Sequence, residues 1–241
     1  MKRVLLTTVA LGALALGSRA MAADLPVKAA PLAAPVYDWS GFYIGGFAGY
    51  GFGNQNINNA NGPAGFANFT GNFETHGPLA GGEVGYNWMV TRDIMFGLEG
   101  DGAWTNIQGN DNFALGWNDA NHLKWVGSLR VRSGFTVDRL LMFFTGGWAV
   151  GDIDHVNTNP GVGVDAFSAH RSGLTAGGGI AYAITDNLIG KIEYRYYDLG
   201  TYHRDAPSSN GALPYTVANT YSTVLLGLDF KFGGGPIVAK Y

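Results

Sequence analysis

The residues with the clearest capacity for chemistry are charged side chains at alternate positions of several short apolar segments. Residues at alternate positions of a strand lie on one face, so these charges belong to one set of faces. Nearly equal numbers of acids and bases on enclosed faces predict either a packed ion-pair core or a charged pore or proton path. The near balance favours the ion-pair core. The acids are Glu83, Glu99, Asp101, Glu193 and Asp229, and the bases are Lys124, Arg130, Arg132, Lys191, Arg195 and Lys231.

The histidines are the other candidates for chemistry. None pairs with another at the helical or short-turn spacing of a metal site. We therefore predict no metal and no cofactor, and interpret the histidines as surface residues, while a haem-binding surface that uses His122 or His170 stays open. No serine or aspartate is marked as part of a triad, so no catalytic residue is predicted. The histidines are His76, His122, His155, His170 and His203.

The segments that must position the charges alternate as β-strands do. In Ser222–Phe232, STVLLGLDFKF, the apolar residues share one parity, while Asp229 and Lys231 share the other. An apolar face backed by a charged face is typical of a barrel strand with lipid outside and polar packing inside. The same pattern predicts eight strands, which begin near Trp39 and then cover 79–90, 94–104, 122–135, 140–151, 171–184, 188–198 and 221–232.

The connections between these segments differ in length in a regular order. Tight polar turns are expected at 90–93, 136–139 and 185–187, and long Gly/Asn/Asp-rich loops near 53–77, 105–121, 152–169 and 199–219. Long loops at one end and short turns at the other indicate an up-and-down barrel. The sequence therefore predicts an all-β protein, an eight-stranded antiparallel up-and-down transmembrane β-barrel over residues 39–232.

Aromatic residues at the predicted strand ends fit the rings that membrane barrels place at both lipid–water interfaces. We predict that they form an aromatic girdle around the outside of the barrel. The predicted girdle consists of Trp39, Tyr50, Trp88, Trp104, Trp125 and Phe232.

The start of the chain indicates export. Lys2 and Arg3 precede an apolar run from Val4 to Leu16, and Ala20-Met21-Ala22 is a small-x-small cleavage site. This pattern is typical of a secretory signal peptide. We predict a signal peptide over 1–22, a Pro/Ala-rich periplasmic linker over 23–38 and a C-terminal tail over 233–241, with export by the general secretory route to the Gram-negative outer membrane.

Composition agrees with this class. Glycine supplies 38 of 241 residues, about twice the ~7% share in typical soluble domains. Charged residues make up 14%, below the ~25% of such domains. The chain has no cysteine, so no disulfide holds it together. A formal net charge of −3 argues against nucleic acid as a partner, because nucleic-acid binding needs a basic patch.

Several segments resemble the alphaproteobacterial porin-like outer-membrane proteins, the RopB-type family of small surface barrels. The resemblance covers nearly every predicted strand, and the WSGFYIGG-like start combined with an EYRYYDLG-like seventh strand is its most specific part. The hairpin AYAITDNLIGKIEY is more distantly similar to the transmembrane domain of outer-membrane protein A. The similar segments are YDWSGFYIGGFAGYGFG from Tyr37, GGEVGYNW from Gly81, FGLEGDGAW from Phe96, LRVRSGF from Leu129, FFTGGWAVGD from Phe143, KIEYRYYDLG from Lys191 and LLGLDFKF from Leu225.

The resemblance implies an eight-stranded outer-membrane barrel that contributes to envelope integrity and host contact, with some haem-binding relatives. The expected function is structural and surface-interacting, without catalysis; a small-solute channel and a haem-binding surface receptor are the alternatives. Expected partners are outer-membrane lipid and lipopolysaccharide, the barrel assembly machinery, and host or surface ligands of the long loops. The chain departs from the family pattern after Phe232, where GGGPIVAKY follows the last strand.

Overall fold

A computed structural model describes residues 36–59, 69–113, 117–159, 163–204 and 215–233. The predicted signal peptide and most of the predicted linker and tail lie outside these residues. Within them, no helix is long and apolar enough to cross a membrane. The strands are β1 Gly41–Asn59, β2 Phe69–Met89, β3 Ile94–Phe113, β4 Trp117–Val137, β5 Leu140–Asn159, β6 Gly163–Ala183, β7 Leu188–Arg204 and β8 Tyr215–Phe232.

Each of these strands pairs with its neighbour in the chain, and β8 pairs with β1, so the sheet closes into a barrel. Every pairing is antiparallel. The alternation predicted for the last strand is present in β8, where Leu226, Leu228 and Phe230 are exposed and Leu225 and Asp229 are buried. The predicted eight-stranded antiparallel barrel is confirmed.

The prediction of four long loops is wrong over most of their length. The strands have 17 to 21 residues, and the connections at the long-loop end shrink to 60–68, 114–116, 160–162 and 205–214. Gly, Asn and Asp have low strand propensity, which is why these segments looked like loops. Here these segments continue as strands because each is hydrogen-bonded to a neighbouring strand. Asn54, for example, lies opposite Glu74, and Asn121 lies opposite His155.

Bulges change which residues face inward on β4. The register shifts between Leu123 and Trp125 in the β4–β5 pairing, and between Trp104 and Ile107 in the β3–β4 pairing. An extra residue on one strand reverses the faces beyond it. Leu123, which alternation with an inward Lys124 would place on the outer face, is therefore buried inside. Lys124, predicted to face inward, is instead 40% exposed and pairs with Asp154 at 2.8 Å.

The predicted girdle residues have two different locations. Tyr50, Trp88, Trp104, Trp125 and Phe232 are exposed on the outer wall. Trp39 is 1% exposed, so its assignment to the girdle is wrong. Because Trp39 precedes the first residue of β1, strand alternation does not govern the direction of its side chain. The side chain packs in a buried cluster with Met95, Leu141 and Ile189.

The closed hydrogen-bond ladder gives a direct test of the fold in solution. Because a closed barrel has no free edge at which unfolding can begin, we expect the purified protein to keep its barrel in dodecyl sulfate at room temperature and to lose it on boiling. Unheated and boiled samples should therefore migrate at different positions on a denaturing gel. Identical migration, with the protein recovered in the soluble fraction, contradicts the membrane barrel.

Candidate functional site

The charge cluster fills the middle of the barrel. Its side chains are 0–2% exposed, and they come from β2, β3, β4, β7 and β8. These strands bring them together because each residue has inward parity near the level of Gly45 of β1, which lies opposite both Glu83 and Asp229. We define the charge cluster as Glu83, Glu99, Asp101, Arg130, Arg132, Lys191, Glu193, Arg195 and Asp229.

Glu99 lies at the centre of the charge cluster. It is directly opposite Arg130 in the β3–β4 register, and the two side chains form an ion pair. Its carboxylate also lies 3.5 Å from Lys191 and 3.6 Å from Arg195. The Tyr43 hydroxyl donates a hydrogen bond of 2.6 Å to Glu99 Oε2. One carboxylate thus holds side chains from three other strands, β1, β4 and β7.

Two arginines connect two further acids, Glu193 and Asp101. Arg130 lies 2.6 Å from Glu193 and 3.1 Å from Asp101. Arg195 lies 2.8 Å from Glu193 and 3.2 Å from Asp101. Because Glu193 and Asp101 each contact both arginines, the arrangement is a network and not a set of separate pairs. A buried charge needs such partners, since an unpaired one costs several kcal/mol.

Lysines mark the lower boundary of the charge cluster. Lys191 pairs with Glu83 and lies 3.9 Å from Asp229. Lys231, a predicted member of the network, bonds elsewhere. Its ammonium group donates to the backbone carbonyl of Asp38 and lies 4.4 Å from the centre of the Tyr37 ring. Lys231 is two residues past Asp229 on the same face, and therefore lies beyond the acids, towards the short-turn end.

Apolar layers close the lumen on both sides of the charge cluster. The upper layer, towards the long-loop end, contains Phe47, Leu79, Ile107, Leu123, Tyr221 and Leu225 among its members. The lower layer, towards the short-turn end, contains Tyr37, Trp39, Met95, Leu141, Phe143 and Ile189 among its members. Aromatic rings cover the cations: the Arg132 guanidinium lies 3.9 Å from the Phe143 ring centre, and that of Arg195 lies 5.0 Å from the Phe47 ring centre.

The segment before β1 forms a strap across the short-turn end. Trp39 Nε1 donates to the carbonyl of Asp138 at 3.0 Å, and the Tyr37 hydroxyl donates to the carbonyl of Asp186 at 3.2 Å. Asp138 has φ of 50°, a left-handed conformation that aspartate tolerates. Burial raises the pKa of Tyr37 to about 12, so its phenol, already protonated at neutral pH, remains a donor in alkaline solution as well.

Three features of the site were missed from the sequence. Tyr43 has inward parity in β1, but no partner is predicted for it; the signal is the glycine opposite it, Gly85, where a Cβ would collide with the tyrosine ring. The roles of Tyr37 and Trp39 had no periodic signal, because neither lies in a strand. Trp148, 58% exposed on the outer wall, was missed because β5 is apolar on both parities.

The histidines do not converge. Among the described residues, no group of three or more His, Cys, Asp or Glu side chains could hold a metal ion. His170 is 84% exposed and lies 3.5 Å from Asp152 on the outer wall, whereas His155 is buried inside the long-loop end, where it stacks on Phe167 at 5.2 Å. The predictions about haem and other cofactors stay predictions.

A closed up-and-down barrel with an apolar, aromatic outer wall and a charged interior defines an outer-membrane β-barrel protein. The chain belongs to the family described as outer membrane protein beta-barrel domain, whose model matches residues 8–232. The predicted family resemblance and the predicted location in the Gram-negative outer membrane are confirmed.

Curated relatives span most of the chain. This chain is 32% identical over 256 residues to the 31 kDa outer-membrane immunogenic protein of Brucella melitensis, in an alignment that covers 96% of this chain and 100% of that protein. It is 30% identical over 215 residues to the 22 kDa outer membrane protein of Rhizobium leguminosarum, covering 88% and 83%. Among solved structures, Neisserial surface protein A matches with 14% identity and a TM-score of 0.42 over 80% of this chain and 98% of that one.

Proposed function

We propose that the protein is a non-conducting structural barrel of the outer membrane that presents its long-loop end to the cell exterior and carries out no catalysis. One observation carries this proposal: the charge cluster is enclosed between two apolar layers inside the same lumen. Eight strands leave an interior just wide enough for side chains to fill. A water-filled path through this interior would need the ion pairs to separate.

The surroundings of the barrel support an envelope role. The apolar outer wall fits outer-membrane lipid, and the polar strand extensions at the long-loop end fit contact with the cell surface or a host. Two relatives in Brucella and Rhizobium are named as outer-membrane proteins, and the Brucella protein is named as immunogenic, which supports surface exposure for this chain. We propose outer-membrane lipid, lipopolysaccharide and the barrel assembly machinery as its partners.

Conductance tests this function against a small-solute channel. We expect the purified barrel to give no stable single-channel current in planar lipid bilayers, because opening would expose buried charges without partners. A water-filled porin in the same bilayer is the positive control. A stable unitary current from the wild-type protein would establish the channel and reject the sealed barrel.

A further inference from the structure

The outer wall of the barrel has a groove above the aromatic girdle. It is a concavity of about 790 Å³ that crosses β2, β3, β4 and β5, within the ~300–1,000 Å³ usual for small-ligand sites. It begins beside Tyr50 and Pro78 and continues towards the long-loop end. Its lower edge is therefore at the height where Tyr50, Trp104 and Trp125 mark the outer lipid–water interface.

Bulges explain why the wall is concave at this height. The register shifts near Trp104 and near Leu123 occur on adjacent strands, directly below the groove. Bulges bend the strand that carries them and increase its twist. Above the bulges β3 and β4 stay paired, from Ile107 opposite Leu123 to Phe113 opposite Trp117, so a recess here arises from bending and twist of the wall and not from a gap between these strands.

The recess carries mainly amide and imidazole groups. Asn106, Gln108 and Asn110 of β3 are exposed along one side, and Asn118 and His122 of β4 lie opposite. The His122 Nε2 atom is buried and has no hydrogen-bond partner among the described residues. Amide and imidazole groups provide both donors and acceptors, which suits a ligand rich in hydroxyl groups.

Aromatic and charged residues narrow the class of ligand further. Tyr50 and His76 lie stacked at the edge of the groove, with ring centres 6.3 Å apart, and offer a flat surface of the kind that packs against sugar rings. The groove has two acids, Glu74 and Asp154, and Asp154 is paired with Lys124 at 2.8 Å. The lining thus has no excess of positive charge, which disfavours a bare phosphate as the ligand.

We propose that this groove binds the saccharide part of a lipopolysaccharide molecule in the outer leaflet. The groove opens sideways from the outer wall, at the height of the headgroups, so a glycolipid beside the barrel reaches it without leaving the membrane. This inference rests on the proposed envelope role for its orientation. Conductance tests that role and glycolipid binding tests the groove, so the two can fail separately.

Binding to purified barrels in detergent micelles tests the proposal. Native mass spectrometry would titrate the full chain with rough lipopolysaccharide, with phosphatidylethanolamine and with the free core oligosaccharide. The variant Gln108→Leu/Asn110→Leu removes two amides from the groove and should bind lipopolysaccharide about ten- to a hundredfold more weakly, since each hydrogen bond contributes about a factor of three to ten. Asn56→Leu, an exposed amide of β1 outside the groove, is the matched control and should bind as the wild type does.

Several outcomes overturn the proposal. Equal binding of lipopolysaccharide by the variant and the wild type shows that the groove does not hold the sugar. Equal binding of phosphatidylethanolamine and lipopolysaccharide by the wild type shows that no sugar is recognised, and this comparison remains decisive if the variant fails to fold. Tighter binding of the free oligosaccharide than of lipopolysaccharide identifies a soluble glycan from outside the cell as the ligand and rejects the membrane glycolipid.

Discussion

Replacing Glu99 with alanine is expected to lower the free energy of unfolding in detergent by about 3–5 kcal/mol, the usual result of removing one partner from a buried ion pair. Glu99 is 1% exposed, and Tyr43, Arg130, Arg132, Lys191 and Arg195 all direct donors towards it. Glu99→Ala leaves four buried cations with one fewer carboxylate and deprives the Tyr43 hydroxyl of its acceptor. The apolar layers on both sides of the charge cluster keep bulk water from solvating the groups left without a partner.

Chemical denaturation of the purified barrel, followed by tryptophan fluorescence, would measure this effect. Asp93→Ala is the matched control: Asp93 is an exposed acid in the first short turn, so its loss should change stability by less than about 1 kcal/mol. The bilayer measurement adds a second readout. If Glu99→Ala keeps the wild-type midpoint and opens a stable conducting pore, the charge cluster is a gate, and its structural interpretation is wrong.

Period-two alternation made the barrel predictable, because a membrane barrel must separate an apolar outer wall from a polar interior on every strand. Glu99, Arg130 and Glu193 could be assigned to the lumen from parity alone. Their pairing could not, because it depends on register across segments whose loop lengths were misjudged. In the structure Glu99 lies opposite Arg130 since β3 and β4 continue almost to their connection at 114–116.

The remaining errors have a common physical origin in contacts that no local pattern records. The bulge near Leu123 depends on how β4 pairs with β5, so the reversed faces of Leu123 and Lys124 had no signal in β4 itself. Lys231 has the inward parity of Asp229, but its partner is the carbonyl of Asp38, 193 residues away in the chain. Trp39 looked like a girdle residue because an aromatic residue at a strand end is equally suited to lipid and to the end of a lumen.

The strap at the short-turn end provides the second large effect. Trp39 is almost fully buried, belongs to the lower layer and donates to the carbonyl of Asp138. Beside it, the Lys231 ammonium at the end of β8 binds the carbonyl of Asp38, just before β1. The strap therefore connects the two strands whose pairing closes the barrel. Removing its largest side chain leaves a cavity and frees a segment that crosses this seam.

We expect Trp39→Ala to lower the free energy of unfolding by about 3–5 kcal/mol, as for other buried aromatic residues, and to lower the temperature at which the compact gel band is lost. Trp88→Ala is the matched control, because Trp88 lies near the same end but is 39% exposed on the outer wall; its effect should be clearly smaller. Trp39→Ala should still give no stable current, since the charge cluster and the upper layer remain. Equal destabilisation by the two variants would show that the strap adds nothing beyond ordinary aromatic contacts. A stable current through the Trp39→Ala barrel would show that the strap, and not the charge cluster, blocks the lumen.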